Sequence, residues 1–246
     1  MWSKAKDIIS SDLGWFGEDL VRKAQEGSMD AIFKIARLYE QGLKIKQDDL
    51  KAVELFELCS EAGMVDAKIR LADNYFRGNS VKHDSEKAKR LLNDAIFKNR
   101  IMAYILLGDI LNKEGKKLEA IKNYLEAEKI FLNDDQGISD YTMAIMYSGL
   151  STLYLSEEEN IRNPNLAVKY MDKALEEDVF CNAKIIGDLF FYGKGVEKDY
   201  ERAKFYYRRI VDEETCNTCG CDCLDYCVDK LISISAAEVW ESRKNC

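Results

Sequence analysis

Apolar residues between Asn182 and Tyr207 fall at helical spacing in two runs, and the polar residues between them mark a turn. The first run, NAKIIGDLFFY, is centred on the small Gly187 and leads into Gly193. The turn GKGVEK follows, then Asp199, then a second run centred on Ala203. This pattern predicts a helical hairpin, the unit of an all-α solenoid.

The same pattern recurs upstream. Ala31, Ala36, Tyr39, Gly42, Asp48 and Ala52 match Ala67, Ala72, Tyr75, Gly78, Asp84 and Ala88, each pair 36 residues apart. Asn182, Gly187, Phe190, Gly193, Asp199 and Ala203 keep the same internal offsets. A fixed period of this size marks a stacked array. Each position has a physical role. The small residue at 36, 72 or 187 lets the first helix of a hairpin approach the second, where Ala52, Ala88 or Ala203 sits. A Leu at Ala36 or Ala72 would overpack that crossing, at a cost of about 1–3 kcal/mol. The aromatic at 39, 75 or 190 fills the next layer. Gly42, Gly78 and Gly193 stand where a left-handed C-cap is wanted. Asp48, Asp84 and Asp199 stand where a side-chain oxygen can cap the second helix.

These residues resemble the Sel-one-like repeat family, a relative of the tetratricopeptide repeats. The motifs are AxLY at Ala36–Tyr39, GKGVxxD at Gly193–Asp199, and DxxKA at Asp48–Ala52 and Asp84–Ala88. The resemblance covers most of Phe16 to Asp212. It implies a right-handed α-solenoid of about five hairpins that holds other proteins, and it implies no catalytic residue.

On this reading residues 1–29 are N-terminal capping helices, with Trp2, Ile8, Ile9 and Leu13 on one apolar face and Trp2 and Trp15 covering the exposed end. Phe16, Leu20, Val21 and Ala24 belong to the second helix of an incomplete first unit. Five repeats follow, at about 30–65, 66–101, 102–132, 141–179 and 180–213. The third has Gly108 at the small position and has lost the long turn, like an ordinary tetratricopeptide unit. The polar stretch Leu132–Asp140 is the one credible hinge. Its Asp134 and Asp135 lack the spacing of a calcium loop. The fourth repeat carries Ser151 at the small position and an acidic turn. Asn163 followed by Pro164 there predicts a helix start. Residues 214–246 are a Cys-rich degenerate sixth unit with a closing helix that ends the stack, Trp240 shielding its last layer.

The Cys-rich segment admits two readings. Cys216, Cys219, Cys221 and Cys223, with Cys227 spare, form a thiolate set suited to zinc or another soft metal. Alternatively Cys216, Cys219, Cys223 and Cys227 form one stripe of a helix and pack as small apolar residues. Such a stripe spans about 16 Å, too long for one ion to be reached by all four, so a metal site needs the segment unwound.

Composition narrows the rest. A net charge of −8 argues against non-specific nucleic-acid binding and for a basic protein partner. No apolar run is long enough for a signal peptide or a bilayer span, which points to a cytoplasmic protein with reduced thiols. The single histidine, His83, lies in a turn, and no His-dependent nucleophilic triad can be assembled. No phosphate loop or metal-binding His–Glu helix is present either, so the chain is read as non-enzymatic.

Family geometry places the first helix of each unit on the concave face. The rows expected there are Phe33, Ile69 and Ile105; then Arg37, Asp73, Asp109, Thr152 and Asp188; then Glu40, Phe76, Leu155 and Phe191, with Tyr192 beside it. This groove would receive a segment bearing Lys or Arg and an apolar anchor, with Phe76 and Phe191 as the principal contacts. The alternative for Phe33, Ile69 and Ile105 is packing between neighbouring units. Three functions follow from the sequence: an interaction scaffold or adaptor, an immunity-type inhibitor that neutralises one basic partner, or a metal or redox sensor working through Cys216–Cys227.

Overall fold

Six helices begin where a Ser, Asp or Asn side chain caps the first turn: Ser28, Asp48, Asp84, Ser139, Asn163 and Asp199. The computed structural model describes residues 2–9, 14–42, 45–78, 80–98, 100–134, 136–179, 182–212 and 223–244. These form thirteen helices, and no strand occurs among the described residues. The chain divides into two units, residues 1–136 and 137–246. The division falls inside the polar stretch Leu132–Asp140.

The first unit holds α1 (Trp2–Ile8), α2 (Gly14–Gln25) and three hairpins. These are α3 (Met29–Gln41) with α4 (Asp49–Glu61), α5 (Val65–Arg77) with α6 (Ser85–Phe97), and α7 (Ile101–Lys113) with α8 (Lys117–Phe131). Within each hairpin the two helices pack together, and α4 packs on α5 and α6 on α7, so the hairpins stack in chain order. Ala36, Ala52, Ala72 and Ala88 are buried at the crossings, beside the fully buried Ile32, Ile35, Phe56 and Leu92. Each large apolar side chain so buried is worth roughly 1.5–3 kcal/mol. Ala5 and Ala24 join this core, with Ile8, Ile9, Leu20 and Val21 packed against it. Leu13 and the side chains of Trp2, Trp15 and Phe16 lie outside the described residues.

The second unit holds α9 (Asp140–Tyr154) with α10 (Pro164–Leu175), α11 (Ala183–Tyr192) with α12 (Tyr200–Asp212), and a last helix, α13 (Cys223–Lys244). Ser151 is fully buried at the crossing of α9 and α10, and its hydroxyl donates to the Ala167 carbonyl at 2.9 Å. The polar replacement is thus satisfied inside the core. Flat ring pairs fill the next layer: Tyr154 on Tyr170 and Phe190 on Tyr206, each with centroids 5.8 Å apart.

Four hairpins close their long turn with one pair of bonds. The amides of Asp48, Asp84, Asn163 and Asp199 donate to the carbonyls of Tyr39, Tyr75, Tyr154 and Phe190, at 2.9–3.0 Å. The same four side chains accept from the amides of Lys51, Lys87, Leu166 and Arg202 at 2.8–3.1 Å. Gly42, Gly78 and Gly193 cap the preceding helices with φ of 64°, 74° and 67°. The third hairpin instead turns through Glu114–Lys116.

The end of the chain differs from the expectation of a closing helix that follows a Cys-bearing first helix. α13 runs unbroken for 22 residues from Cys223. No Gly or Pro interrupts Cys223–Lys244, so nothing in the sequence turns the chain back.

Candidate functional site

In the first unit the first-helix face is built by α3, α5 and α7. Two of its expected contact residues are core: Ile69 is 8 % and Ile105 7 % exposed. Phe33 packs its ring on Phe56 of α4, with centroids 5.6 Å apart. Ile69 and Ile105 are therefore packing residues rather than groove contacts, while Phe33 is half-buried against its own hairpin.

The charged row is only partly free. Arg37 is half-buried and lends positive charge to Glu40, which Arg70 approaches at 3.9 Å. Burial nonetheless pushes the Glu40 carboxyl up. Asp73 accepts from Arg77 Nε at 2.7 Å. Asp109 is turned inward and accepts from the Tyr124 hydroxyl of α8 at 2.5 Å. Burial pushes Asp109 up, against the pull of Tyr124 and Arg77, and the same burial raises the Tyr124 hydroxyl. Phe76 is half-buried beside this row, with the ammonium of the exposed Lys113 5.0 Å from its ring centroid.

In the second unit α9, α11 and α13 form the corresponding face. Thr152 Oγ1 donates to the Ser148 carbonyl at 2.9 Å and accepts from Asn182 Nδ2 at 2.6 Å, which ties α9 to the start of α11. Leu155 is the half-buried C-cap of α9. Asp188 Oδ1 accepts from two hydroxyls, Tyr207 of α12 at 2.7 Å and Tyr226 of α13 at 2.8 Å, while Oδ2 faces Lys184 at 3.3 Å. Asp188 thus holds three elements together and is not an open contact.

The aromatic pair there is already occupied. Lys230 of α13 lies over Phe191 at 4.4 Å, and its ammonium donates to the Tyr192 hydroxyl at 2.5 Å. That bond pulls the Tyr192 hydroxyl below its ordinary range. Desolvation, then the carboxylate of Asp188, pushes Tyr207 and Tyr226 well above theirs. The last helix therefore supplies the basic chemistry that the sequence assigns to a partner.

The tyrosines that reach the carboxylate row escaped the sequence reading. The signal for two of them is present: Gly108–Asp109 pairs with Ala120 and Tyr124, and Gly187–Asp188 with Ala203 and Tyr207, at the same spacing on the second helix. Where the small residue is Ala36 or Ala72, the matching positions are Phe56 and Leu92.

Cys216, Cys219 and Cys221 lie outside the described residues, as does the side chain of Cys223. Cys227 is fully buried against α12, close enough to Tyr207 to add to the rise of its hydroxyl. Among the described residues no cluster of His, Cys, Asp or Glu could hold a metal ion. No described helix is long and apolar enough to cross a membrane.

The geometry has parallels in solved structures. A Sel1 repeat protein of Oxalobacter formigenes superposes with a TM-score of 0.59 at 20 % identity, over 77 % of this chain and 75 % of that one. A protective antigen of uropathogenic Escherichia coli displaying an SLR fold gives 0.52 at 19 %, over 86 % of this chain and 52 % of the antigen. A Sel1 repeat protein of Klebsiella pneumoniae gives 0.50 at 16 %, over 89 % and 99 %. These likenesses show the fold. The Sel1 repeat model matches residues 30–64, 65–96, 153–179 and 186–213, which are the hairpins whose long turns carry the carbonyl-to-cap bond. Repeats of this kind generally serve protein–protein interaction. With the motif, the hairpin geometry and the matched repeats in agreement, the chain belongs to the Sel1 repeat family.

Proposed function

We propose that the chain is a non-enzymatic scaffold, and that it holds a partner segment bearing Lys or Arg and an apolar anchor on the α3–α5–α7 face of residues 1–136. One observation carries this reading: the half-buried ring of Phe76, on the same helix as Asp73, already has an ammonium 5.0 Å from its centroid. The face of an aromatic ring accepts a cation. The cation there belongs to Lys113, an exposed and mobile-stemmed side chain that a partner's Lys or Arg can displace. Phe191 and Tyr192 offer the same chemistry, but α13 fills it from within. The acidic balance of the chain, −8 overall, favours encounter with basic partners and disfavours nucleic acid.

The test is affinity capture with mass spectrometry on wild type and on Asp73→Lys combined with Phe76→Ala. Loss of the captured proteins, with circular dichroism unchanged, supports the reading. An unaltered set of captured proteins sinks it. A single stoichiometric partner that survives washing would identify the chain as an inhibitor of that protein, and several exchanging partners would identify an adaptor.

A further inference from the structure

One arrangement recurs in both units at the residue after the layer aromatic. Phe76 follows Tyr75 on α5, and Phe191 follows Phe190 on α11. Each ring carries an ammonium from the next helix of the same face, Lys113 of α7 at 5.0 Å and Lys230 of α13 at 4.4 Å. At Phe191 the surround is fuller. The Lys230 ammonium also lies 4.8 Å from the Tyr192 ring centroid and 5.2 Å from that of Tyr226. All of these distances fall inside the roughly 6 Å at which a ring face attracts a cation. Phe191 and Tyr192 meet edge to face with centroids 4.8 Å apart, and the Tyr192 hydroxyl accepts from the ammonium at 2.5 Å. Phe191, Tyr192 and Tyr226 thus form an aromatic cage with one hydrogen-bond acceptor, and a lysine already sits in it.

That lysine is held by rings and a hydroxyl rather than by a carboxylate. Among the described residues Lys230 makes no ion pair, and the Asp188 carboxylate faces Lys184 instead. Other contacts keep α13 docked: Cys227 and Ile234 are fully buried, Tyr226 bonds to Asp188, and Glu238 pairs with Lys204 of α12. Lys230 can therefore leave by rotating its flexible stem while the helix stays in place. The cage keeps a side open to water, since Tyr192 is 47 % exposed.

We propose that this cage is a second binding site, for a lysine side chain of a partner protein, and that Lys230 is its built-in competitor. The chemistry of the cage names the ligand. Ring faces on several sides of one point call for a compact cation rather than a planar guanidinium. The Tyr192 hydroxyl calls for a cation that carries an N–H, so a lysine fits, and a trimethylated lysine forfeits that bond. Lys230 lowers the apparent affinity in proportion to the fraction of time the cage stands filled, so a partner must outcompete it to bind. The cage shares no residue with the α3–α5–α7 face, so loss of binding at one leaves the other untouched.

The experiment is an NMR titration of the full chain, in reductant and at constant ionic strength, with Nα-acetyl-lysine methylamide up to about 50 mM. Its Nε-trimethyl and Nε-acetyl forms are the comparison probes. The lysine probe should bind Lys230→Ala roughly tenfold or more tightly than it binds wild type, with the helical signal kept. Adding Phe191→Ala should abolish that binding. In Lys230→Ala the trimethyl probe should bind more weakly than the lysine probe, and adding Tyr192→Phe should erase the difference. The Nε-acetyl probe should not bind. A second measurement uses the unaltered protein with labelled lysines, which serves if Lys230→Ala loses helix. The surrounding rings should shift the Lys230 ε-methylene signal upfield, and the lysine probe should return it toward its free position. Equal affinity of Lys230→Ala and wild type overturns the proposal. So does binding that survives Phe191→Ala, a preference for the trimethyl or acetyl probe, or a Lys230 signal that the lysine probe leaves unmoved.

Discussion

The ring of Tyr207 occupies the space that a side chain on Gly187 would need: a Cβ built there would lie 2.6 Å from Tyr207 Cε1. Gly108 and Tyr124 repeat the arrangement at 2.5 Å. In both, the ring lies over the glycine so that its hydroxyl can reach the next residue's carboxylate, Asp188 or Asp109. Gly187→Ala should therefore destabilise the protein by about 1–2 kcal/mol, because overpacking outweighs the better helix propensity of alanine. Adding Tyr207→Leu, which reproduces the pairing of Ala72 with Leu92, should recover part of that loss. Urea unfolding of the two single variants and the double variant measures the coupling.

Asp109 gives a prediction with a definite sign. Burial raises its native pKa above the ordinary aspartate value of about 3.9. The native state therefore holds this proton more tightly than the unfolded chain does. Its contribution to stability is present below about pH 3.9 and is lost as pH rises through the raised native value. Asp109→Asn keeps an oxygen for the Tyr124 hydroxyl and removes the cost of the buried charge. The variant should match or exceed wild type in stability at pH 7, and its advantage should shrink toward pH 4. An advantage that grows on acidification would contradict the assignment.

Cys59 is fully buried, its thiol set toward the Met29 carbonyl at 3.7 Å, and burial pushes its pKa to about 11. It should resist iodoacetamide at pH 8 in the native protein and react only on unfolding. Peptide mapping after timed alkylation reads this directly. Rapid native labelling at Cys59 would show that the first two hairpins open.

The N-cap residues should behave alike. Asp48→Ala, Asp84→Ala and Asp199→Ala each remove one acceptor for a helix-start amide and should each cost about 1 kcal/mol. Thermal melts of the three variants give the comparison. A negligible cost at all three would mean that the carbonyl-to-cap bond alone holds the turn.

The hairpins were legible because their signals are local. The small residue, the aromatic, the glycine cap and the aspartate cap each act within one unit, so their spacing reports the fold directly. The partners of the carboxylate row are not legible in the sequence, because the side chains that claim it are distant along the chain. Tyr124 lies 15 residues from Asp109, and Tyr226 lies 38 from Asp188. Helical periodicity places Asp109 and Asp188 on a face, but it does not say that a tyrosine has bridged to them. The burial of Ile69 and Ile105 is likewise not written in helical periodicity alone. At the C-terminus the repeat period suggested a turn that the residues do not encode.

The bond from each cap amide back to an aromatic carbonyl spans nine positions in all four long turns. It survives in the fourth repeat, where SEEENIRN replaces the glycine-rich wording of the others. Length is clamped at the two ends, and content is left free between them. Such segments behave as interchangeable cassettes on a fixed frame: new lettering can be tried there without moving a helix, which makes the hairpin tips the cheapest place for this chain to acquire or change a specificity.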